Sequence, residues 1–206
     1  KSGFIPRGNT QYGKHHTYTY EVGETTATES DGSGGTRTTR TATGSGPATW
    51  FHDGTRNGIA DYVGDVWKWM SGLRVYKGEI QIFVGNLAAK QVSHLATSTY
   101  WKAILPNGSL VEPGTPGTLK YTKDFKIATD TGAAGSTYTA NFGNLVAGTG
   151  VTTIPEILKE LFLAPVSGVT HTGAFWINNE DERLPIVSGC YNHASSAGPS
   201  ALNLSN

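Results

Sequence analysis

The chain has one cysteine, Cys190, in 206 residues. No disulfide can close within it, so its cohesion must come from packing. Cys-x-x-Cys and His-x-x-x-His pairs are both absent, and His15, His16, His52, His94, His171 and His193 are scattered without zinc-ligand spacing. The histidines are therefore expected as surface or hydrogen-bonded residues, with no metal site. Charge is scarce at 16%, and the 16 basic residues balance 16 acidic ones. A net charge of zero offers no basic stripe to draw in phosphate backbones, which argues against nucleic acid as a partner. No apolar run reaches the roughly 18 residues of a membrane span, and the Lys1–Gly8 start carries no apolar signal stretch. No membrane insertion is expected.

The missing charge is replaced by Gly, Thr, Ser and Asn, a mix that favours β structure and long ordered loops around a single core. Residues 23–46, with Asp31-Gly-Ser-Gly-Gly and Thr36-Arg-Thr-Thr-Arg-Thr, are too poor in apolar side chains to offset ordering entropy. They predict a mobile loop or linker. Residues 1–46 then form an N-terminal segment and 47–206 the main domain.

Trp50, Phe51, Tyr62, Trp67 and Trp69 form the densest aromatic cluster and are expected in the core. Val66-Trp-Lys-Trp-Met has the alternation of a half-buried strand, and Leu73 to Val84 reads as a strand pair turning near Lys77-Gly78. Pro106-Asn-Gly and Glu112-Pro-Gly-Thr-Pro-Gly are turn sequences, and a short helical turn is expected within residues 87–95. The one good helix begins at Ile154, with Thr153 as cap, Pro155 in the first turn, Ile157, Leu158, Leu161 and Phe162 on one face, and Pro165 as terminator. Gly173-Ala-Phe-Trp-Ile is a buried strand. The fold class expected is α+β, with antiparallel sheets, long irregular loops and few short helices.

The last stretch, from Arg183, mixes apolar anchors (Ile186, Ala197, Leu202, Leu204) with side chains of no shared chemistry. Such a pattern suits a scaffold holding up a recognition patch.

Gly58-Ile-Ala-Asp-Tyr-Val-Gly-Asp-Val-Trp-Lys-Trp is similar to a run shared by formylglycine-generating enzymes and the C-type-lectin-fold proteins that retroelements diversify. The family pattern has Asn at the place of Asp65 and Glu at that of Lys68. Residues 183–206 resemble the variable segment that closes the diversified phage proteins, the group that includes the major tropism determinant. In that group the segment opens Arg-x-Pro-x-x-Gly-Gly; here Ser188 replaces the first glycine, and the usual Gly-Phe-Arg ending is missing, which predicts truncation or a disordered tail.

The resemblance implies a C-type lectin fold and a receptor-binding adhesin at a phage tail tip. It also implies a bacterial cell-surface protein or glycan as ligand, other tail subunits as neighbours, and assembly as a homo-oligomer such as a trimer. Diversification in that family scrambles adenines in Asn codons, which cannot yield Lys, Glu, Gln, Met or Trp. Residues 186–206 contain none of the five. The variable, ligand-facing positions implied are Val187, Cys190, Tyr191, His193, Ser195, Ser196, Pro199, Ser200 and Ser205.

Other readings compete at particular residues. Asp53, Asp61 and Asp65 could offer oxygens to calcium, yet they do not follow an EF-hand pattern, and bonding to loop backbone is the plainer expectation. Cys190 admits an enzyme of the formylglycine-generating type, but that branch uses a cysteine pair, so no catalysis is expected here. A structural virion protein is the third reading.

Overall fold

The computed structural model describes residues 3–90, 92–130 and 136–206. In chain order the strands are β1 (Thr25–Ser30), β2 (Thr36–Thr41), β3 (Lys68–Trp69), β4 (Leu73–Tyr76), β5 (Glu79–Phe83), β6 (Trp101–Ile104), β7 (Leu110–Val111) and β8 (Lys120–Tyr121). There follow β9 (Lys126–Ala128), β10 (Tyr138–Asn141), β11 (Val146–Ala147), β12 (Ala174–Ile177), β13 (Glu182–Arg183), β14 (Ile186–Val187) and β15 (Leu202–Leu204). One α-helix, α1 (Glu156–Glu160), and short 3-10 turns complete the described elements. The protein is thus mostly sheet with few helices. No helix among the described residues is long and apolar enough to cross a membrane.

The chain divides into two compact units: residues 1–68, 171–174 and 187–202 in the first, and 69–170, 175–186 and 203–206 in the second. Most of the terminal segment thus shares a unit with residues 1–46.

In the second unit an eight-stranded sheet runs β11-β9-β8-β5-β4-β13, with β6 on β5 and β7 on β6. Its centre is the β4–β5 hairpin, closed at Lys77 (φ +48) and Gly78 (φ +84) as anticipated. Two consecutive positive φ values make the turn whose twist matches the strands it joins. Leu73 pairs with Ile82 and Val75 with Ile80 on one face, and all four are buried with Ile104, Leu119, Ile127, Phe175 and Ile177. Tyr121 lies under this layer, 4.9 Å from the Phe175 ring, and donates its hydroxyl to Leu163 O at 2.6 Å. Burial drives its phenol pKa upward. The expected Ala174–Ile177 strand is present, and β10, β12 and β15 neighbour one another in that order in a second sheet.

Two expectations in this unit need correction. The helix is only five residues long, Pro155 rather than Thr153 holds the cap position, and Phe162 at φ +56 breaks it before Pro165. Only Leu158 of the apolar face is buried, while Leu161 and Phe162 remain exposed, so continuing the helix would bury little. Trp69 is 70% exposed, and the strand expected over Val66–Met70 shrinks to Lys68–Trp69.

In the first unit Trp50 and Phe51 are buried as expected, but Tyr62 is exposed and Trp67 half-buried. Residues 23–46, expected as a mobile loop or linker, contain an antiparallel hairpin, β1 on β2. Its turn is tied by Asp31 Oδ1, which accepts Ser33 N–H at 2.8 Å and Gly35 N–H at 3.0 Å. Its base is tied by polar bonds: Asp65 Oδ1 accepts Thr41 N–H at 2.8 Å, and Thr39 O accepts Asn9 Nδ2 at 3.3 Å. Low hydrophobicity argues for mobility only when no buried polar partner is available, and here two are.

Candidate functional site

The terminal segment is held in the first unit by its backbone. Gly64 N–H donates to Ser188 O at 3.1 Å, Tyr191 N–H to Asp65 O at 3.1 Å, Tyr12 N–H to Tyr191 O at 2.8 Å, and Ala194 N–H to Thr10 O at 2.9 Å. The predicted anchors are buried: Ala197 and Leu202 in the first unit, Ile186 and Leu204 in the second. Ser188, where the resembled pattern has glycine, sits at φ +78, in the left-handed region that favours glycine.

The three aspartates considered for calcium each accept a backbone N–H, while Asp61 Oδ1 is buried with no hydrogen-bond partner among the described residues. Asp61 Oδ2 accepts Gly44 N–H at 2.8 Å, Asp53 Oδ1 accepts Thr55 N–H at 2.8 Å, and Asp65 Oδ1 takes Thr41 N–H at 2.8 Å and Asn9 Nδ2 at 3.1 Å. Burial raises the Asp61 carboxyl pKa. Among the described residues no cluster of three or more His, Cys, Asp or Glu could hold a metal ion. Lys68 donates to Gly64 O at 2.7 Å and Val66 O at 2.9 Å, so it ties the same loop, and burial lowers its ammonium pKa.

Of the nine candidate positions, Ser195 is exposed, and Val187, Cys190, Tyr191, His193, Ser196 and Pro199 are half-buried in the first unit. Ser200 lies deeper at 8% exposure, its hydroxyl 3.2 Å from His171 Nδ1. Ser205 belongs to the second unit, where its N–H donates to Asn203 Oδ1 at 2.9 Å. The structure therefore groups Cys190 to Ser196 as one surface stretch of the first unit, and Ser205 belongs to the second.

Two features surround this stretch. On one side Tyr191 donates its hydroxyl to Glu29 Oε2 at 3.2 Å and sets its ring 5.8 Å from Tyr12. The Arg37 guanidinium lies 4.1 Å over the Tyr12 ring and 2.9 Å from Glu29. On the other, Ser195 lines a cavity of about 310 Å³ with Arg7, His15, His16, Tyr18 and Val63. Arg7 stacks 4.1 Å over Tyr18. His15 Nδ1 accepts the N–H groups of Thr17 and Tyr18, each at 3.1 Å, and burial pushes its pKa down to about 4. Both histidines are hydrogen-bonded, His16 through Nδ1 at 2.9 Å from Thr10 Oγ1.

Cys190 Sγ lies 2.9 Å from His193 Nδ1 and 3.2 Å from Asn192 Oδ1. The pair has the spacing of a nucleophile and base, but burial raises the thiol pKa and lowers that of the imidazole. The ion pair that activates a cysteine is therefore disfavoured. The His193 ring meets Trp67 edge-on at 5.0 Å. Partly exposed phenol, imidazole and hydroxyl groups on a pinned backbone, with guanidinium groups beside them, suit recognition of a polar surface.

No protein-family model matches the chain, and no curated protein does. The partners that sequence reasoning missed are Tyr12, Glu29 and Arg37, and the cavity residues Arg7 and Tyr18. A signal existed in the Thr-rich β-branched alternation around Asp31-Gly32, which specifies a hairpin able to carry Glu29 and Arg37 to one place.

Proposed function

We propose that the chain is a receptor-binding protein of the retroelement-diversified group with a C-type lectin fold. It would act at a phage tail tip, presenting residues 190–196 to a protein or glycan of a bacterial surface. One observation carries this reading: the two separately matched segments are hydrogen-bonded through Gly64 to Ser188 and Asp65 to Tyr191, while Cys190, Tyr191, His193, Ser195 and Ser196 keep part of their surface open. Main-chain pinning lets side chains change without loss of the backbone, which is what a diversified binding surface requires. Glu29 and Arg37 of the hairpin, with Tyr12 packed under Arg37, supply a fixed flank beside the variable Tyr191. Sister copies and other tail subunits are the neighbours this role calls for.

Binding of the purified chain to a panel of bacterial strains tests the reading. Replacing Tyr191, His193, Ser195 and Ser196 together by Ala should weaken binding to the recognised strain at least about tenfold, or 1.4 kcal/mol, with the melting temperature unchanged. Undiminished binding refutes it. Independently, the neighbouring DNA should hold a reverse-transcriptase gene and a near-copy of the codons for 183–206 that differs at template adenines; differences at all four bases exclude diversification.

The Cys190–His193 contact is the one observation that favours an enzyme. Oxidation of a substrate cysteine that is lost in Cys190→Ser would establish that reading in place of the first.

A further inference from the structure

The β4–β5 hairpin of the second unit has a second face. Arg74 pairs with Gln81, and Tyr76 with Glu79, so these four side chains lie opposite the apolar layer. Three of them are buried all the same: Arg74 is 6%, Glu79 5% and Gln81 1% exposed. They border a cavity of about 470 Å³, which Tyr76, Lys120 and Glu182 also line. That volume is within the range of about 300–1,000 Å³ of small-molecule sites.

The polar groups of this cavity form a connected chain. Arg74 Nε donates to Gln81 Oε1 at 2.6 Å, and Gln81 Nε2 donates to Glu79 Oε2 at 2.5 Å. Glu79 Oε1 accepts Thr118 Oγ1 at 2.6 Å and Gly114 N–H at 3.1 Å. Arg74 Nη1 uses both its protons, on Ala96 O at 3.0 Å and Glu182 Oε1 at 2.7 Å, while the guanidinium packs 4.5 Å over Trp101. The guanidinium is therefore fixed in position before anything binds.

Arg74 Nη2 has no partner among the described residues, which leaves two N–H donors of a deeply set cation unspent. Lys120 likewise forms no ion pair among the described residues. These two N–H donors are available to an oxyanion, which a guanidinium fixed in place holds through charge-assisted hydrogen bonds. The charged lining, Arg74, Lys77 and Lys120 against Glu79 and Glu182, leaves one positive charge in excess. A carboxylate, with two coplanar oxygens, matches a guanidinium edge better than a neutral group does. The cavity is too large for a simple ion alone. Its wall includes the ring of Tyr76, 44% exposed, and the Glu182 Oε2 acceptor, for which no hydrogen bond is found among the described residues.

We propose that this cavity binds a carboxylated sugar of the hexuronate class. The carboxylate takes Arg74 Nη2 and Lys120 Nζ, the ring lies against Tyr76, and a hydroxyl donates to Glu182 Oε2. The site is independent of the terminal segment and does not rest on the function proposed above.

Calorimetry on the full chain at low salt tests it with glucuronate, and with glucose, acetate and inorganic phosphate as comparators. Glucuronate should bind at least about tenfold tighter than each of the other three. Lys120→Gln should weaken glucuronate binding at least about tenfold with an unchanged melting temperature, and the Arg74 Nε–H resonance should shift on titration. Tyr76→Ala, at an exposed side chain, should also weaken it and stands in if Lys120→Gln misfolds. The proposal falls if glucuronate does not bind, if glucose, acetate or phosphate binds as well, or if the folded variants bind glucuronate like the parent chain.

Discussion

Replacing Gly64 by Ala strikes the contact on which the terminal segment depends. Gly64 has φ +72, and a Cβ built there would come 2.2 Å from Asn9 O and 2.7 Å from Asn9 C. Both obstacles are backbone, so no side-chain rotation clears them. The left-handed conformation costs a non-glycine residue about 1–2 kcal/mol, and overpacking against fixed atoms adds about 1–3 kcal/mol. Loss of unfolded-state freedom returns about 0.4–1 kcal/mol, so the net destabilisation is about 1–4.5 kcal/mol. Gly34 supplies the control: its φ is +93, but nothing lies within 4 Å of its Cβ position. Gly34→Ala therefore carries the conformational cost alone, about 1 kcal/mol or less after the same return. Urea denaturation of the two variants isolates the steric part, expected near 2 kcal/mol. Because Gly64 N–H holds Ser188 O, the Cys190 thiol should also react faster with an aromatic disulfide in Gly64→Ala. Equal destabilisation by the two substitutions would refute the close approach of Gly64 to Asn9.

Three further outcomes are expected. His15 has its pKa lowered from 6.5 to about 4 by burial, so the folded state favours the neutral ring. Its contribution is complete above pH 6.5 and is lost as pH falls from 6.5 through 4. His15→Asn, which keeps an acceptor for the Thr17 and Tyr18 N–H groups but cannot titrate, should flatten the fall in melting temperature across that window; parallel curves would count against it. Asp65 Oδ1 accepts from Thr41 and Asn9, so Asp65→Asn, which keeps the oxygen, should cost under about 1 kcal/mol, and Asp65→Ala about 2–4 kcal/mol by chemical denaturation. Burial raises the Cys190 thiol pKa, so at pH 8 it should react with an aromatic disulfide more slowly than free cysteine. A rate equal to the free thiol would refute the upward shift, and a faster one would mean that the thiol is activated and would revive the enzyme reading.

Legibility from sequence followed the kind of force involved. Ile186, Ala197, Leu202 and Leu204 could be picked as buried because apolar side chains in a polar segment have little else to do, and Lys77-Gly78 could be placed as a turn because few residues accept its backbone angles. The helix was overread, because its apolar periodicity promises burial only if a neighbour covers it, and Leu161 and Phe162 are left exposed. The hairpin was missed for the opposite reason. Its strands gain order from the Asp65 carboxylate and the Asn9 side chain, residues distant in sequence whose side chains give no periodic signal. The same distance hid the flank of the candidate site. Tyr191 meets Glu29 across 162 residues of chain, and only a formed hairpin brings Glu29, Arg37 and Tyr12 together. A segment whose composition predicts a mobile loop or linker is thus what gives residues 190–196 a rigid neighbour. The hairpin's polar anchoring also has a functional consequence: Asp65 holds Thr41 of the hairpin through its carboxylate and Tyr191 through its carbonyl. One residue therefore fixes both halves of the surface, and side chains from 190 to 196 can change while that joint stays intact.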